Sequence, residues 1–356
     1  MIIPHSKPFL GTAEANALSR VLASGQLAQG PEIRGLEREM RTVAGQRFGI
    51  AVSSGTAALY LALRSLDVKQ GDSVVIPSYV CTALLNAVLM AGASPCLSDV
   101  DPVTGEMTVD TAKKALRKNT KAAIVPHLFG VPADAHSIER QLGVPVIEDC
   151  AQCVGTSLGG KKVGGQTLIS VFSFYATKLL CAGEGGLVAT SDRRIADVIT
   201  NIREYDNRET YVPAFNFKLS DVHAALARQQ LKRLPEMVGK RRKIAGIYDD
   251  SLEGPALPVR PSAQGENIRR SVYFRYVVRA AGNVKSIIGK METKGIACRR
   301  PIYKPLHHYL KKNGFPGTDE IYKKAISIPI YPSLSKDQIE YICKNFSKTM
   351  SDQNRK

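Results

Sequence analysis

Between about residues 50 and 235, short apolar runs alternate with helix-patterned segments, and no other feature restricts the fold as strongly. Strand-like runs lie at 49–52, 73–76, 95–98, 122–125, 144–148, 168–174 and 186–190. Helical patterns at 56–66, 81–90, 109–117, 133–142 and 193–203 separate several of them. Strands joined through helices make a mainly parallel sheet with both faces covered. The expected class is α/β, a mainly parallel seven-stranded sheet between helices in a large domain over residues 1–235. Residues 57–63 are apolar nearly all round, which marks a buried helix.

Past Leu234-Pro235 the pattern changes. A basic helix near 235–252 leads into a Pro/Gly-rich stretch at 254–265, a strand-like run at 271–278, a helix near 284–294, an apolar run at 296–300 and a closing helix at 336–344. This predicts a smaller α+β domain over residues 236–356.

In open α/β sheets, ligands bind beyond the carboxyl ends of the strands. Four segments at such ends carry candidate chemistry. Ser53-Ser54-Gly55-Thr56-Ala57-Ala58 opens the buried helix, where small residues let backbone N–H groups approach a phosphate. Val146-Ile147-Glu148-Asp149-Cys150-Ala151-Gln152 delivers a carboxylate that could keep a pyridine nitrogen protonated. Val171 to Lys178 places an amine just past an apolar strand, able to form a Schiff base, with Ser173 able to donate to a phosphate. Gly183-Glu184-Gly185-Gly186 permits a tight return into the next strand. Each also has a plain reading, as helix cap, loop aspartate, surface lysine or turn.

The net charge of +17 favours anionic ligands, although much of it sits in surface-like runs such as Lys240 to Lys243. No zinc-finger spacing, RNP-type motif or helix-turn-helix signature accompanies it, so nucleic acid is not the expected partner. No apolar stretch approaches the roughly 20 residues of a membrane span. The N-terminal segment lacks a signal-peptide pattern, and a cytoplasmic enzyme is expected. Seven scattered cysteines suit reduced thiols better than a disulfide framework. Cys150-x-x-Cys153 has no second pair, and His307-His308 would not share a helix face, so no metal site is expected.

S-G-T-A-A-L, E-D-x-A-Q, S-F-Y-A-T-K and G-E-G-G, in this order, resemble the DegT/DnrJ/EryC1/StrS family of fold-type-I pyridoxal-phosphate enzymes, mostly sugar aminotransferases. Gly25 to Pro31, Asp99-Val100-Asp101-Pro102, Asn216 to Asp221, Pro305-Leu306-His307 and Ser327-Ile328-Pro329 extend the likeness over nearly the whole chain. The resemblance implies pyridoxal 5'-phosphate as cofactor and Lys178 as its Schiff-base lysine and proton carrier. It implies Asp149 on the pyridine nitrogen, Gln152 on the ring hydroxyl, and Gly55, Thr56 and Ser173 on the phosphate. It also implies Asn216 contributing from the other subunit of a homodimer. The family's ring-stacking aromatic is replaced by Cys81 in Pro77-Ser78-Tyr79-Val80-Cys81, leaving Cys81 or Tyr79 to cover the ring. The expected reaction moves an amino group from glutamate or glutamine to a nucleotide-linked keto-sugar, with Arg299, Arg300 and His307 on the substrate side. The alternatives are a same-family sugar dehydratase, which would replace the lysine with histidine, a non-catalytic regulator, and a basic nucleic-acid-binding protein.

Overall fold

The structure is a computed structural model, and it describes residues 1–206, 209–252, 257–258, 271–280 and 282–354. Two N-terminal helices, α1 (Thr12–Ser24) and α2 (Pro31–Ala44), precede the sheet. Strands β1 (Phe48–Val52), β2 (Ser73–Pro77), β3 (Ser94–Ser98), β4 (Thr120–Pro126) and β5 (Val146–Asp149) follow. Between them run α3 (Gly55–Ser65), α4 (Thr82–Met90), α5 (Val109–Ala115) and α6 (Ala135–Leu142). A small hairpin of β6 (Ser157–Leu158) and β7 (Lys161–Lys162) leads to β8 (Ile169–Ser173), β9 (Gly186–Thr190) and α7 (Arg193–Arg203).

The main sheet has seven strands in the order β1-β9-β8-β5-β4-β2-β3. β9 runs antiparallel to both of its neighbours, β1 and β8, and every other pair in the sheet is parallel. The seven apolar runs form its seven strands, as expected from their position among helical patterns. Their continuous apolarity has a direct cause, since β2, β5 and β9 are buried along their whole length. Alternate residues of one strand enter different cores: Val74 and Ile76 pack with α3, α4 and α7, whereas Val75 packs with α5 and α6. Beneath β1, β8 and β9, helices α2 and α8 (Asp221–Ser251) complete the second face.

Helix α8 corrects one reading of the sequence. Pro235 does not start a new helix; α8 runs through it without interruption. A proline inside a helix removes one backbone hydrogen bond, and packing on both sides holds the helix together here. Leu234, Met237 and Val238 lie in the large core, while Ile244, Ala245 and Tyr248 lie in the C-terminal one. That second core is built on β11 (Tyr276–Arg279) and β12 (Ala325–Ile328), the strands of a small sheet with β10 (Leu257–Pro258), and on α9 (Val284–Glu292) and α12 (Lys336–Asn354), whereas α10 (Leu306–Tyr309) and α11 (Pro316–Lys324) bury Leu306 and Ile321 in the large core. Ile3, from the chain's other end, is part of it. Of the Pro/Gly-rich stretch expected at 254–265, all but residues 257–258 lies outside the described residues.

Candidate active site

The carboxyl ends of β5 and β8 and the start of α3 enclose a pocket of about 220 Å³, lined among others by Gly55, Thr56, Cys81, Asp149, Ser173 and Lys178. Local structure places each of them. Ser54 caps α3, its Oγ accepting from the Ala57 N–H at 3.1 Å, so the first turn of the helix opens on the pocket. Gly55 faces Ser173 across the gap: a Cβ at Gly55 would stand 2.9 Å from Ser173 Cβ and 3.2 Å from its Oγ. Glycine here leaves a cradle between a helix N-terminus and a hydroxyl, the setting in which a phosphate group is held. The hairpin from β8 to β9 returns beside it, and a side chain at Gly186 would collide with the Ser54 carbonyl.

Asp149 ends β5, nearly closed off from solvent, with the Ala151 N–H donating to its Oδ1 at 3.0 Å. Lys178 sits past the end of β8, its Nζ 5.4 Å from the centre of the Phe274 ring. Burial pushes the Asp149 carboxyl above the usual range, against the pull of the Ala151 N–H and the charges of Lys178 and His127. Burial lowers the Lys178 amine, with Arg275 adding to the effect and Asp149 and Cys81 opposing it. Each group is thus held closer to its neutral form than on a surface. A neutral amine is the nucleophilic form, and a buried carboxyl gains from any cation placed beside it.

Cys81 lines the pocket from the N-cap of α4, with its side chain open to solvent. Tyr79 is wholly buried away from it, edge-on to Phe129 at 6.4 Å. Of the two residues considered for the ring face, Cys81 is the one at the pocket. Gln152 is not among the lining residues; its Oε1 accepts from the Phe129 N–H at 2.9 Å. Asn216 is exposed, on the stretch between α7 and α8. Arg299 is exposed and 3.8 Å from Glu292, while Arg300 lies over the Tyr322 ring at 4.4 Å and donates to the Tyr322 carbonyl. His307 is buried, its Nδ1 2.7 Å from Ser78 Oγ and its Nε2 3.2 Å from Asp319.

The sequence reading missed several neighbours. Tyr175 and Glu184, which lie inside two of the motifs but were given no role there, line the pocket from the β8–β9 connection. Arg275, which acts on Lys178, arrives from just before β11 and left no local trace. Glu148, next to Asp149 but on the other face, accepts from the N–H groups of Gly164, Gln166 and Thr167 and lies 3.1 Å from His127 Nε2. His127, which had no expected role, belongs to this buried scaffold under the site, its Nδ1 accepting from the Ala133 N–H.

Over residues 8–347 the chain matches the DegT/DnrJ/EryC1/StrS aminotransferase family. It is 28% identical over 364 residues to a GDP-perosamine synthase from Vibrio cholerae, covering 96% of this chain and 97% of that protein. The aminotransferase TlmJ from Streptoalloteichus hindustanus superimposes with a TM-score of 0.93 at 29% identity, over 99% of this chain and 100% of the other. DesV from S. venezuelae, solved in complex with a ketimine intermediate, gives 0.88 at 27% identity over 97% and 98% of the two chains.

Proposed function

This chain belongs to the DegT/DnrJ/EryC1/StrS aminotransferase family, and from that premise we propose that it moves an amino group from glutamate or glutamine to a keto-sugar carried on a nucleotide diphosphate. The family's cofactor is pyridoxal 5'-phosphate, and the residues present suit it. The Gly55–Ser173 cradle offers a helix N-terminus and a hydroxyl for the phosphate, with Thr56 alongside. The buried Asp149 carboxyl calls for a cationic partner, which a protonated pyridine nitrogen provides. When bound, the cofactor supplies an electron sink that makes a proton on the attached carbon labile.

In this reading Lys178 would hold the cofactor, and its amine, when free, would take up and return a proton at the substrate carbon. Its lowered basicity leaves that amine unprotonated at lower pH than a surface lysine. Asp149 would keep the pyridine nitrogen protonated. Cys81, as a small polarisable group lining the pocket, would cover the ring. Gln152 would turn from the Phe129 N–H toward the ring hydroxyl. Asn216, exposed in the single chain, would reach the phosphate of a second copy, making the enzyme a homodimer. Arg299 and Arg300 would meet the anionic nucleotide, and His307 would support the substrate side through Ser78. The GDP-perosamine synthase relative, together with the +17 net charge, favours a nucleotide-linked acceptor. Lys178 itself argues against the dehydratase alternative, whose members carry histidine there.

The observation that carries the proposal is the juxtaposition in one pocket of a neutral-leaning lysine and a buried carboxyl beside a glycine-framed helix N-terminus. The test is transfer of label from amino-labelled glutamate or glutamine to a panel of nucleotide-linked keto-sugars, read by mass spectrometry. Label recovered in a sugar nucleotide supports the proposal. Exchange between amino and keto acids with no sugar acceptor labelled would remove the sugar from it.

A further inference from the structure

Two clusters of potential metal ligands occur among the described residues. His127, Glu148 and Cys150 are dry, and the Glu148 oxygens are already taken by backbone N–H groups. The second cluster, His307, His308 and Asp319, is different. Adjacent residues in a regular helix diverge, but α10 is a single turn, and its two imidazoles lie with ring centres 4.2 Å apart. Both Nε2 atoms converge on the same oxygen of Asp319, at 3.2 Å for His307 and 3.1 Å for His308. In tetrahedral zinc sites with metal–ligand bonds near 2.0–2.1 Å, neighbouring ligand atoms stand about 3.3 Å apart. Those two separations already match that edge.

The surroundings hold the rings in place. His307 Nδ1 faces Ser78 Oγ at 2.7 Å, the outer hydrogen bond that orients a ligating imidazole and presents its other nitrogen. Phe315 stacks on His307 at 4.7 Å, and Tyr322 meets His308 edge-on at 5.5 Å. The His308 and Asp319 side chains remain 35% and 41% exposed, so an ion can enter and water can fill an open position.

We propose that His307, His308 and Asp319 bind one divalent ion of the zinc class, through Nε2 of each imidazole and an oxygen of Asp319. Two imidazoles and one carboxylate suit zinc, cobalt or nickel better than magnesium or calcium, which prefer all-oxygen sites. The ion clamps α10 to α11. Ser78 also takes the Leu306 N–H at 2.9 Å, and Asp99 accepts from the Gly317 and Thr318 N–H groups, so both helices are tied to the large sheet. Metal binding therefore tightens the segment from Ser78 to Cys81, which borders the cofactor pocket.

The test uses tag-free holoprotein, treated with chelator and titrated with zinc chloride by calorimetry, beside His308→Ala and Asp319→Asn. One ion per chain is expected for the wild type, with binding weakened at least about tenfold in each variant and a zinc-dependent rise in Tm confined to the wild type. A cobalt(II) difference spectrum of the wild type should show ligand-field bands without sulfur-to-metal charge transfer, and it decides the question alone should a variant fail to fold. No saturable binding, equal binding by wild type and both variants, or a sulfur charge-transfer band would each overturn the assignment.

Discussion

Replacing Gly55 with alanine adds one methyl group at the point where α3 meets Ser173. The new carbon would stand 2.9 Å from Ser173 Cβ, whereas carbon atoms pack best at about 3.5–4.0 Å. The overlap exceeds half an ångström, and backbone lies on both sides of it. Overpacking of this kind costs about 1–3 kcal/mol. It can be relieved only by moving the helix start or Ser173, the two groups proposed to hold the phosphate. At about 1.4 kcal/mol per tenfold, the Kd for pyridoxal phosphate should rise roughly 5- to 140-fold. Gly289→Ala is the control: it lies in α9 with nothing within 4 Å of an added Cβ, and should raise stability by about 0.5–1 kcal/mol. The assay is equilibrium titration of apoprotein with the cofactor, followed by absorbance. Wild-type affinity in Gly55→Ala, or equal weakening in Gly289→Ala, would refute the cradle.

Two further outcomes follow from the electrostatics and the scaffold. Burial and the Arg275 charge both depress Lys178, so Arg275→Met removes one depressing influence and Lys178 should hold its proton to higher pH. Cofactor uptake needs the neutral amine, so its pH midpoint should move upward; a midpoint that stays or falls would contradict the assignment. Glu148→Ala would strand the buried N–H groups of Gly164, Gln166 and Thr167 and the His127 ring. At about 1–3 kcal/mol per stranded donor, the loss should be about 4 kcal/mol or more, and an unchanged urea midpoint would show that the network is not as described.

The sheet was legible because strands buried on both faces read as unbroken apolar runs, and Asp149 and Lys178 stood out because one ends such a run and the other follows shortly after one. What escaped depends on distant parts of the chain. Pro235 carries a local stop signal that packing on two cores overrides. The strand-like run at 271–278 becomes β11 only from Tyr276, because the Val272 and Arg275 N–H groups bond to Gly130 and Phe129 instead of to the sheet. Arg275 is brought close to Lys178 by that same detour. The convergence of His307 and His308 required knowing that α10 lasts one turn and that Asp319 lies opposite, neither of which their spacing reveals.

The most direct test of the central claim is the absorbance spectrum of the purified protein with pyridoxal phosphate, before and after glutamate, beside Lys178→Ala. The account predicts a visible band of bound cofactor in the wild type, absent from the variant and lost when glutamate is added. A band that forms equally in Lys178→Ala, or no band at all, would contradict Lys178 as the residue that holds the cofactor.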